Sequence, residues 1–337
     1  MICPKRRTAF TTGWLRPSRQ LTSPAPDALV IAGQLGHILP LMKRSAVLMK
    51  RSAVLRFAPS PNGPLHLGHA LSALVCSDAA ERLGGKLLLR IEDIDIARCR
   101  EEHVSGILED LAWLGVTWDG PVLRQSQHFA VYSQAAQWLE GQGLLYPCFA
   151  SRLEIWDAAE KGALDPDGAP LYPGLHKSLS KTEIKERIGE GQAFALRLDM
   201  DRALSAAEHQ LGGQPLTFTE LDEDGNPMTI EAKPERWGDA VILRKDVPAS
   251  YHLAVVIDDA RQGVTHVTRG RDLFAATDLH RLLQVLLGLQ EPLYHHHRLL
   301  IDKEGRKLSK SAGDAGLINL RARGIPARDI RVLVGLG

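Results

Sequence analysis

Two histidines in the segment PSPNGPLHLGH, residues 59–69, have a type and spacing suited to binding phosphate groups. His66 and His69 follow a predicted strand and open a predicted helix, and the N-terminus of a helix attracts anions. Both imidazoles can donate hydrogen bonds to a triphosphate, and Gly68 lets the backbone approach it closely. The segment therefore indicates a nucleotide site, with the alternative that the two histidines only cap the helix and pack against it.

A lysine-rich segment near the other end of the chain carries complementary charge. It reads KLSKS and contains Lys307, Ser309 and Lys310. Mobile ammonium groups near a pyrophosphate leaving group can neutralise charge that develops only in the transition state. Alone, such a string is usually a solvated loop. Together with the upstream histidine pair in an α/β chain, it becomes a specific signal.

The elements that must position these residues alternate between strand and helix in two blocks, residues 53–140 and 241–302. This alternation predicts the α/β class, with a doubly wound, Rossmann-type parallel sheet that binds ligands beyond the carboxyl ends of its strands. Residues 145–240 are less regular and contain Pro and Gly clusters. We expect them to form an inserted α+β domain, so that the main domain is not contiguous in sequence.

Apolar spacing and turn residues predict the individual elements. Strands are expected at residues 53–57, 86–91, 241–243, 252–257, 264–268 and 299–301. Helices are expected at 69–83, 104–114, 128–141 and 181–189, with a further helix capped by Asp272. Ser180 and Glu183 have the capping-box spacing for the helix at 181–189.

Charge is distributed unevenly along the 337 residues. The formal net charge is +1, but residues 1–51 contain nine basic side chains and one acidic one, which leaves the remainder with a net charge of −7. This basic leader repeats the heptad LMKRSAV at 41–47 and 48–54 and has no sustained periodicity. A transit peptide and a nucleic-acid-binding arm are alternatives, but we expect an unstructured extension.

Composition excludes several classes of protein. With 44% apolar and 24% charged residues, the chain is not a collagen, a disordered tail or a disulfide-stapled miniprotein. The four cysteines form no C-x-x-C pair, which favours a reducing, cytoplasmic location. No apolar run approaches the roughly 18 residues typical of a membrane span, so we expect no membrane partner.

The histidine and lysine segments together resemble the two signatures of class I aminoacyl-tRNA synthetases. Neighbouring segments narrow the resemblance to the glutamyl branch of that family: RFAPS at 56–60, LRIEDID at 89–95, YHLAVVIDD at 251–259 and GVTHVTRG at 263–270. The resemblance extends over residues 53–320. It implies a ligase that activates L-glutamate with ATP and Mg²⁺ and attaches it to a tRNA.

The resemblance also implies roles for individual residues. The ATP site comprises His66, Gly68, His69, Lys307, Ser309 and Lys310, of which the two histidines and the two lysines are the expected catalytic residues. A substrate carboxylate is best held by the bidentate fork of arginine. The expected glutamate site comprises Arg56, Phe57, Ala58, Pro59, Ser60, Glu92, Tyr251 and Arg269, with Glu92 at the ammonium group.

One departure from the family concerns zinc. Many members carry Cys-x-Cys followed by Tyr-x-x-x-Cys, whereas the matching residues here are Cys148, Ala150, Tyr172 and His176. Ala150 cannot ligate a metal, and structural zinc almost always takes four protein ligands, so we expect no bound zinc. In the run His295–His297, consecutive strand residues would point to opposite faces. We expect that run to be structural or to line the ATP site.

Few residues follow the lysine segment, too few for the helical anticodon-binding region of longer glutamyl enzymes. The expected organisation is a basic extension at 1–51, a catalytic domain in two halves at 52–144 and 241–315, an insertion at 145–240 and a short helical tail at 316–337.

Such a short core resembles enzymes that attach glutamate to the queuosine base in the anticodon of tRNA(Asp). We expect this function, and we expect the protein to be a monomer. The alternative is a truncated or split glutamyl-tRNA synthetase that charges the tRNA 3′ end. A non-catalytic RNA-binding relic leaves His66, His69, Lys307 and Lys310 unexplained. A nucleotidylyltransferase does not explain the segment at 251–269.

Overall fold

The computed structural model describes residues 52–301 and 316–337. The basic leader and Lys307, Ser309 and Lys310 lie outside these ranges. The described strands are β1 (Val54–Phe57), β2 (Lys86–Ile91), β3 (Leu123–Arg124), β4 (Leu145–Cys148), β5 (Ala195–Leu198), β6 (Thr217–Leu221), β7 (Pro227–Glu231), β8 (Val241–Leu243), β9 (His266–Gly270) and β10 (Leu293–His297).

The described helices begin with α1 at the histidine pair and end near the C-terminus. They are α1 (Leu67–Arg82), α2 (Glu101–Trp113), α3 (Phe129–Gly141), α4 (Arg152–Ala158), α5 (Lys181–Gly189), α6 (Met200–Gln210), α7 (Tyr251–Arg261), α8 (Ala276–Leu286), α9 (Leu317–Ala322) and α10 (Ala327–Leu333). None of these helices has both the length and the apolar character that crossing a membrane requires.

Parallel strands form the framework for the candidate site. β1 pairs with β2 and β2 with β3, while β9 pairs with β10 and β10 with β6, all in parallel. The two groups adjoin where the Thr265 N–H donates to the Val54 carbonyl oxygen over 2.9 Å. β7 adds an antiparallel edge to β6. The expected α/β class with a doubly wound parallel sheet is confirmed.

Buried apolar side chains hold the carboxyl ends of these strands in place. Leu55 of β1 packs with Leu71 and Leu74 of α1 in one cluster, and all three are at most 2% exposed. Burying each such side chain contributes about 1.5–3 kcal/mol. The loop between β1 and α1, which carries the first sequence motif, is therefore anchored at both ends.

A separate antiparallel sheet contains β4, β5 and β8, paired in that order. Its membership does not follow the boundary expected at residue 240. β8 lies after that boundary but joins the antiparallel sheet, whereas β6 lies before it but joins the parallel sheet, with Glu220 opposite Tyr294. The chain therefore passes from the antiparallel sheet at β5 to the parallel sheet at β6 and back to the antiparallel sheet at β8. Sequence periodicity does not reveal this exchange.

Residues 252–257, expected to form a strand, lie in the helix α7. The Ser250 hydroxyl caps this helix by accepting a hydrogen bond from the Leu253 N–H over 3.3 Å. Every residue from Leu253 to Ile257 is buried, at most 8% exposed. A continuous apolar run of this kind looks the same in a buried helix and in a buried strand. The serine was the signal that favoured a helix.

Two expectations near the end of the sheet are also wrong. β10 contains the histidine run and is the last strand in the described ranges, whereas Leu299 and Leu300 belong to no strand. Asp272 lies in a 3₁₀ turn, and α8 starts later, at Ala276. Apolar content alone favoured residues 299–301, but buried histidines are suited to a strand when their ring nitrogens are hydrogen-bonded.

Candidate active site

A cavity of about 470 Å³ lies at the carboxyl ends of β1, β2 and β9. It is lined by the loop after β1, the start of α1 and the start of α7. Every described residue that we assigned to glutamate or ATP lines it: Arg56, Phe57, Ala58, Pro59, Ser60, His66, Gly68, His69, Glu92, Tyr251 and Arg269. The fold therefore brings together residues that are far apart in sequence.

His66 and His69 form a reciprocal cap at the start of α1. The His66 Nδ1 atom accepts a hydrogen bond from the Gly68 N–H over 3.1 Å, and the His69 Nδ1 atom accepts one from the His66 N–H over 3.2 Å. Because each Nδ1 is an acceptor, each neutral ring carries its proton on Nε2. The two histidines thus cap the helix, and the cap orients both rings as Nε2–H donors at a helix N-terminus, where anions are favoured.

Gly68 makes room for the His66 ring. A Cβ atom at this position would lie 2.9 Å from His66 Cε1 and 3.0 Å from His66 Nδ1. Contacts this short force the imidazole to shift, which would break the cap. The structure thus provides a packing reason for the glycine, and the contact of Gly68 with ATP stays a prediction.

Arg56 and Arg90 share one buried carboxylate. The Arg56 Nε atom lies 3.0 Å from Asp259 Oδ1, and the Arg90 Nη2 atom lies 2.8 Å from the same oxygen. Burial disfavours the ionised form of Asp259, but the two guanidinium groups outweigh burial and lower its pKa. The side chains of Arg56 and Arg90 are 4% and 0% exposed. Arg56 therefore reaches the cavity already paired with a negative charge.

Glu92 lies at the cavity wall beside this cluster. Its Oε1 atom is 3.3 Å from Arg90 Nε, and its backbone carbonyl accepts a hydrogen bond from the Ser60 hydroxyl over 2.9 Å. Burial raises the pKa of Glu92, and Arg90 and Arg56 oppose that rise. The hydrogen bond from Ser60 ties the loop after β1 to the end of β2. This contact holds the backbone of Glu92 in place. The Glu92 carboxylate can then accept a charge-assisted hydrogen bond from a cationic group of a ligand.

Arg269, at the end of β9, donates to neutral acceptors. Its Nε atom donates to His296 Nε2 over 3.1 Å and its Nη2 atom to Thr277 Oγ1 over 2.8 Å. Its Nη1 atom donates to His280 Nδ1 over 3.2 Å and to the Tyr251 hydroxyl over 3.4 Å. Within residues 52–301 and 316–337, no carboxylate forms an ion pair with Arg269. The Arg269 charge is therefore oriented without being neutralised there.

Sequence reasoning missed the residues that hold the arginines. Asp259 lies within the motif at 251–259 but was given no role, and Thr277 and His280 were not assigned. His296 was expected only to be structural or to line the ATP site. His280 interrupts a buried stripe on α8 between Leu279 and Leu282. A buried histidine between leucines was the available signal, because such a group needs a hydrogen-bond partner. Residues to which no site role was given also line the cavity, among them Ser72, Thr268, Asp272 and Arg298.

The three consecutive histidines of β10 have different partners. His295 Nδ1 lies 3.0 Å from the Leu221 carbonyl oxygen, and His297 Nε2 lies 2.9 Å from Ser72 Oγ. His296 is directed towards Arg269, its neighbour across the parallel ladder. The histidine run is therefore structural at His296, and His297 lines the cavity.

Cys148, Tyr172 and His176, which match zinc-ligand positions of many family members, lie close together. The Cys148 Sγ atom is 3.9 Å from His176 Nδ1, and the Tyr172 hydroxyl accepts a hydrogen bond from the His176 N–H over 2.8 Å. His176 Nδ1 also accepts the Phe149 N–H over 3.2 Å, so its lone pair is engaged. Ala150 occupies one of the four matching positions and cannot ligate a metal, so these residues do not fit structural zinc. In the described ranges, no three His, Cys, Asp or Glu side chains are arranged to hold a metal ion.

Comparison with known proteins places this site in a family. Residues 52–318 match the catalytic domain of the class I tRNA synthetases (E and Q). A glutamyl-Q tRNA(Asp) synthetase of Rhodobacter capsulatus is 47% identical over 296 residues, which cover 84% of this chain and 100% of the relative. A glutamate–tRNA ligase of a Synechococcus species is 35% identical, and the match covers 81% of this chain and 55% of the ligase.

A solved structure gives the same result. The glutamate tRNA ligase of Elizabethkingia meningosepticum aligns with a TM-score of 0.61 and 27% identity, covering 78% of this chain and 53% of that chain. The chain therefore spans about half the length of the solved ligase that it matches.

The parallel sheet, the histidine pair at a helix N-terminus and the family match together define the class of protein. The chain belongs to the class I tRNA synthetases of the E and Q type and contains their catalytic domain, which makes it a ligase. Within that class, it is similar to glutamyl-Q tRNA(Asp) synthetases of three bacteria, at 37–47% identity. The expected membership in the glutamyl branch of this family is confirmed.

Proposed function

We propose that this enzyme activates glutamate with ATP and transfers it to the queuosine base in the anticodon of tRNA(Asp). A glutamate carboxylate oxygen attacks the α-phosphorus of ATP, which forms glutamyl-adenylate and releases pyrophosphate. A nucleophile of the queuosine base then displaces AMP from the adenylate. The 47% identity to a glutamyl-Q tRNA(Asp) synthetase over that relative's full length supports this acceptor.

The uneven charge of the cavity is the observation that carries the proposal. Arg56 shares Asp259 with Arg90, whereas Arg269 contacts neutral acceptors in the part of the chain that the structure describes. A substrate carboxylate would meet a buried guanidinium with uncompensated charge. Hydrogen bonds to charged groups contribute about 1.5–3 kcal/mol each. The cavity thus favours an acidic amino acid over a neutral one.

The remaining polar groups of glutamate also find partners in this proposal. Glu92 accepts hydrogen bonds from the ammonium group, and Tyr251 and Arg56 support Arg269 at the side-chain carboxylate. Phe57, Ala58, Pro59 and Ser60 form the adjoining wall of the cavity. The hydrogen bond from Ser60 to the Glu92 carbonyl supports this arrangement, because it holds the wall against the carboxylate.

ATP occupies the histidine end of the cavity in this proposal. His66 and His69 donate from Nε2 to its phosphates, beside the backbone at Gly68, and Lys307, Ser309 and Lys310 approach from the second motif. Positioning and charge stabilisation then supply most of the catalysis, since the protein makes no covalent bond to the substrate. Mg²⁺ would enter with the nucleotide, because this ion is usually bound through substrate phosphates and retained waters.

The tRNA partner must be recognised by local contacts. Residues 52–337 carry a net charge of −7, so overall attraction to RNA is absent and phosphate contacts must come from basic patches. A monomer in the cytoplasm is the proposed state. The free thiols of Cys76 and Cys148 support a reducing compartment.

Two assays test the proposed reaction. ATP–pyrophosphate exchange should depend on glutamate and should be much weaker with glutamine, which lacks the carboxylate. Labelled glutamate should then be transferred to tRNA(Asp) that contains queuosine and not to the same tRNA with guanosine at that position. Exchange without preference for glutamate, or labelling of both tRNAs, would refute the proposal.

A second candidate is favoured by the matches to glutamate–tRNA ligases. In that case the chain charges the 3′ end of tRNA(Glu), alone or with a separate anticodon-binding partner. The 35% identity to the Synechococcus ligase over 81% of this chain is the supporting observation. Charging of tRNA(Glu), with no glutamate on queuosine-containing tRNA(Asp), would favour it.

A further inference from the structure

Two series of side-chain hydrogen bonds start at Arg269, one through His280 and one through His296. His280 Nδ1 accepts from Arg269, and His280 Nε2 lies 3.1 Å from His252 Nδ1. Because a guanidinium only donates, His280 must carry its proton on Nε2 and donate it to His252. His296 Nε2 also accepts from Arg269, so its proton lies on Nδ1 and is donated to Glu220 Oε2 over 2.8 Å. The contacts thus fix opposite tautomers of His280 and His296.

Both imidazoles are neutral in this arrangement. His280 is 2% exposed and His296 is 8% exposed. Burial lowers the pKa of both rings, and Arg269 lowers them further. At His296 the hydrogen bond to Glu220 opposes this decrease in pKa but does not reverse it. A protonated His280 would also turn a donor towards the Arg269 donors. The two imidazoles that accept hydrogen bonds from Arg269 therefore carry no charge.

We propose that His280 and His296 are positioning residues that fix the Arg269 guanidinium while leaving its charge available to the side-chain carboxylate of the substrate. A carboxylate in either place would neutralise Arg269, and an apolar side chain would leave its buried donors without a partner. The neutral imidazole avoids both. Glu220 contacts the opposite nitrogen of the His296 ring from Arg269. It therefore orients the ring while the imidazole separates its negative charge from Arg269.

This inference rests on the proposed function, since it takes glutamate to be the ligand of Arg269. Its first test compares His280→Leu with His280→Asn in glutamate-dependent ATP–pyrophosphate exchange. The Asn Oδ1 atom can replace Nδ1 as the acceptor, whereas Leu has none. We expect His280→Leu to raise the KM for glutamate about 10- to 100-fold, as for a lost hydrogen bond to a charged group. The KM for ATP should stay unchanged, and His280→Asn should recover most of the affinity for glutamate.

Gln284→Leu is the matched control. Gln284 lies one turn further along α8, is 3% exposed and donates to the Tyr294 hydroxyl over 2.8 Å without contacting Arg269. It should leave the KM for glutamate unchanged. Equal effects of His280→Leu on both substrates, or an effect of Gln284→Leu equal to that of His280→Leu on glutamate, would overturn the inference. Absence of glutamate-dependent exchange in the wild-type enzyme would instead contradict the proposed function.

A second test needs neither activity nor a folded leucine variant. ¹⁵N NMR of histidine-labelled wild-type protein at neutral pH should show His280 as the Nε2–H tautomer and His296 as the Nδ1–H tautomer. The resonances are assigned by their loss in His280→Asn and His296→Gln. A charged ring or the opposite tautomer at either position would overturn the inference whatever the enzyme's substrate is.

Discussion

Replacing Asp259 with asparagine should strongly destabilise the fold, because one carboxylate serves two buried guanidinium groups. Its Oδ1 atom lies 3.0 Å from Arg56 Nε and 2.8 Å from Arg90 Nη2. Of the neighbouring acids, Glu92 would remain, at 3.3 Å from Arg90 Nε. Removing one partner of a buried ion pair costs about 3–5 kcal/mol. Because two cations lose the same partner, we expect Asp259→Asn to lower the free energy of unfolding by an amount in this range.

Urea unfolding followed by circular dichroism measures this loss. The matched control is Asp246→Asn, since Asp246 pairs with Arg244 at 2.8 Å but its side chain is 64% exposed. Exposed pairs contribute about 0–1 kcal/mol, so the control should unfold almost like wild type. If Asp259→Asn also lies within about 1 kcal/mol of wild type, the two arginines do not depend on Asp259 and the reasoning fails.

The contacts of Asp259 with Arg56 and Arg90 also predict how the loss of stability in Asp259→Asn varies with pH. The pKa of Asp259 is lower in the folded protein than in the unfolded chain. Its stabilising effect is therefore fully present above the unfolded value of about 3.9 and is lost as pH falls through the folded value. The difference in stability between wild type and Asp259→Asn should be constant near neutral pH and should narrow in acid below about pH 4. A difference that instead grows in acid would contradict the assigned sign.

Three further substitutions test other residues of the proposed site and of its surroundings. Glu92→Gln should raise the KM for glutamate about 10- to 100-fold in pyrophosphate exchange; an equal rise in the KM for ATP would assign Glu92 a structural role. Lys310→Ala should strongly reduce adenylate formation without changing the circular dichroism spectrum; unchanged exchange kinetics would remove the lysine segment from the mechanism. Tyr132→Phe removes a 2.7 Å hydrogen bond to buried Asp258 and should lower the urea midpoint, at a cost of about 1–3 kcal/mol; an unchanged midpoint would contradict that reasoning.

Metal removal provides an independent check on Cys148, Tyr172 and His176. Dialysis against EDTA should leave the thermal midpoint unchanged, because His176 Nδ1 is already bonded to the Phe149 N–H and Ala150 supplies no ligand. A fall of several degrees, restored by zinc, would show that the site binds metal after all.

Local sequence signals predicted several elements correctly. The expected strand at 86–91 is β2 without any change of boundary, and the capping box of Ser180 and Glu183 is present at α5. The polar residues of the motifs were identified because their segments resemble those of the glutamyl branch, although Arg56, His66 and His69 also have structural partners. The described residues of the predicted glutamate and ATP sites accordingly line one cavity.

The residues behind the site were not predictable for a physical reason. Asp259 reaches Arg56 across 203 residues of sequence, and His280 reaches Arg269 from the following helix, 11 residues further on. No local pattern encodes which partners meet. The same limit explains why residues 217–221, which form β6, were placed in the insertion and why residues 241–243, which form β8, were placed in the parallel sheet. For α7, an all-apolar run removed the periodicity that separates a helix from a strand.

The position of the attached glutamate on tRNA tests the proposed function most directly. Queuosine-containing tRNA(Asp) that lacks its 3′ terminal adenosine is incubated with the enzyme, ATP and labelled glutamate, beside the intact tRNA. We predict equal labelling of both, with the label recovered in the anticodon fragment after ribonuclease digestion. Labelling confined to the intact tRNA, with the label at its 3′ end, would contradict the account.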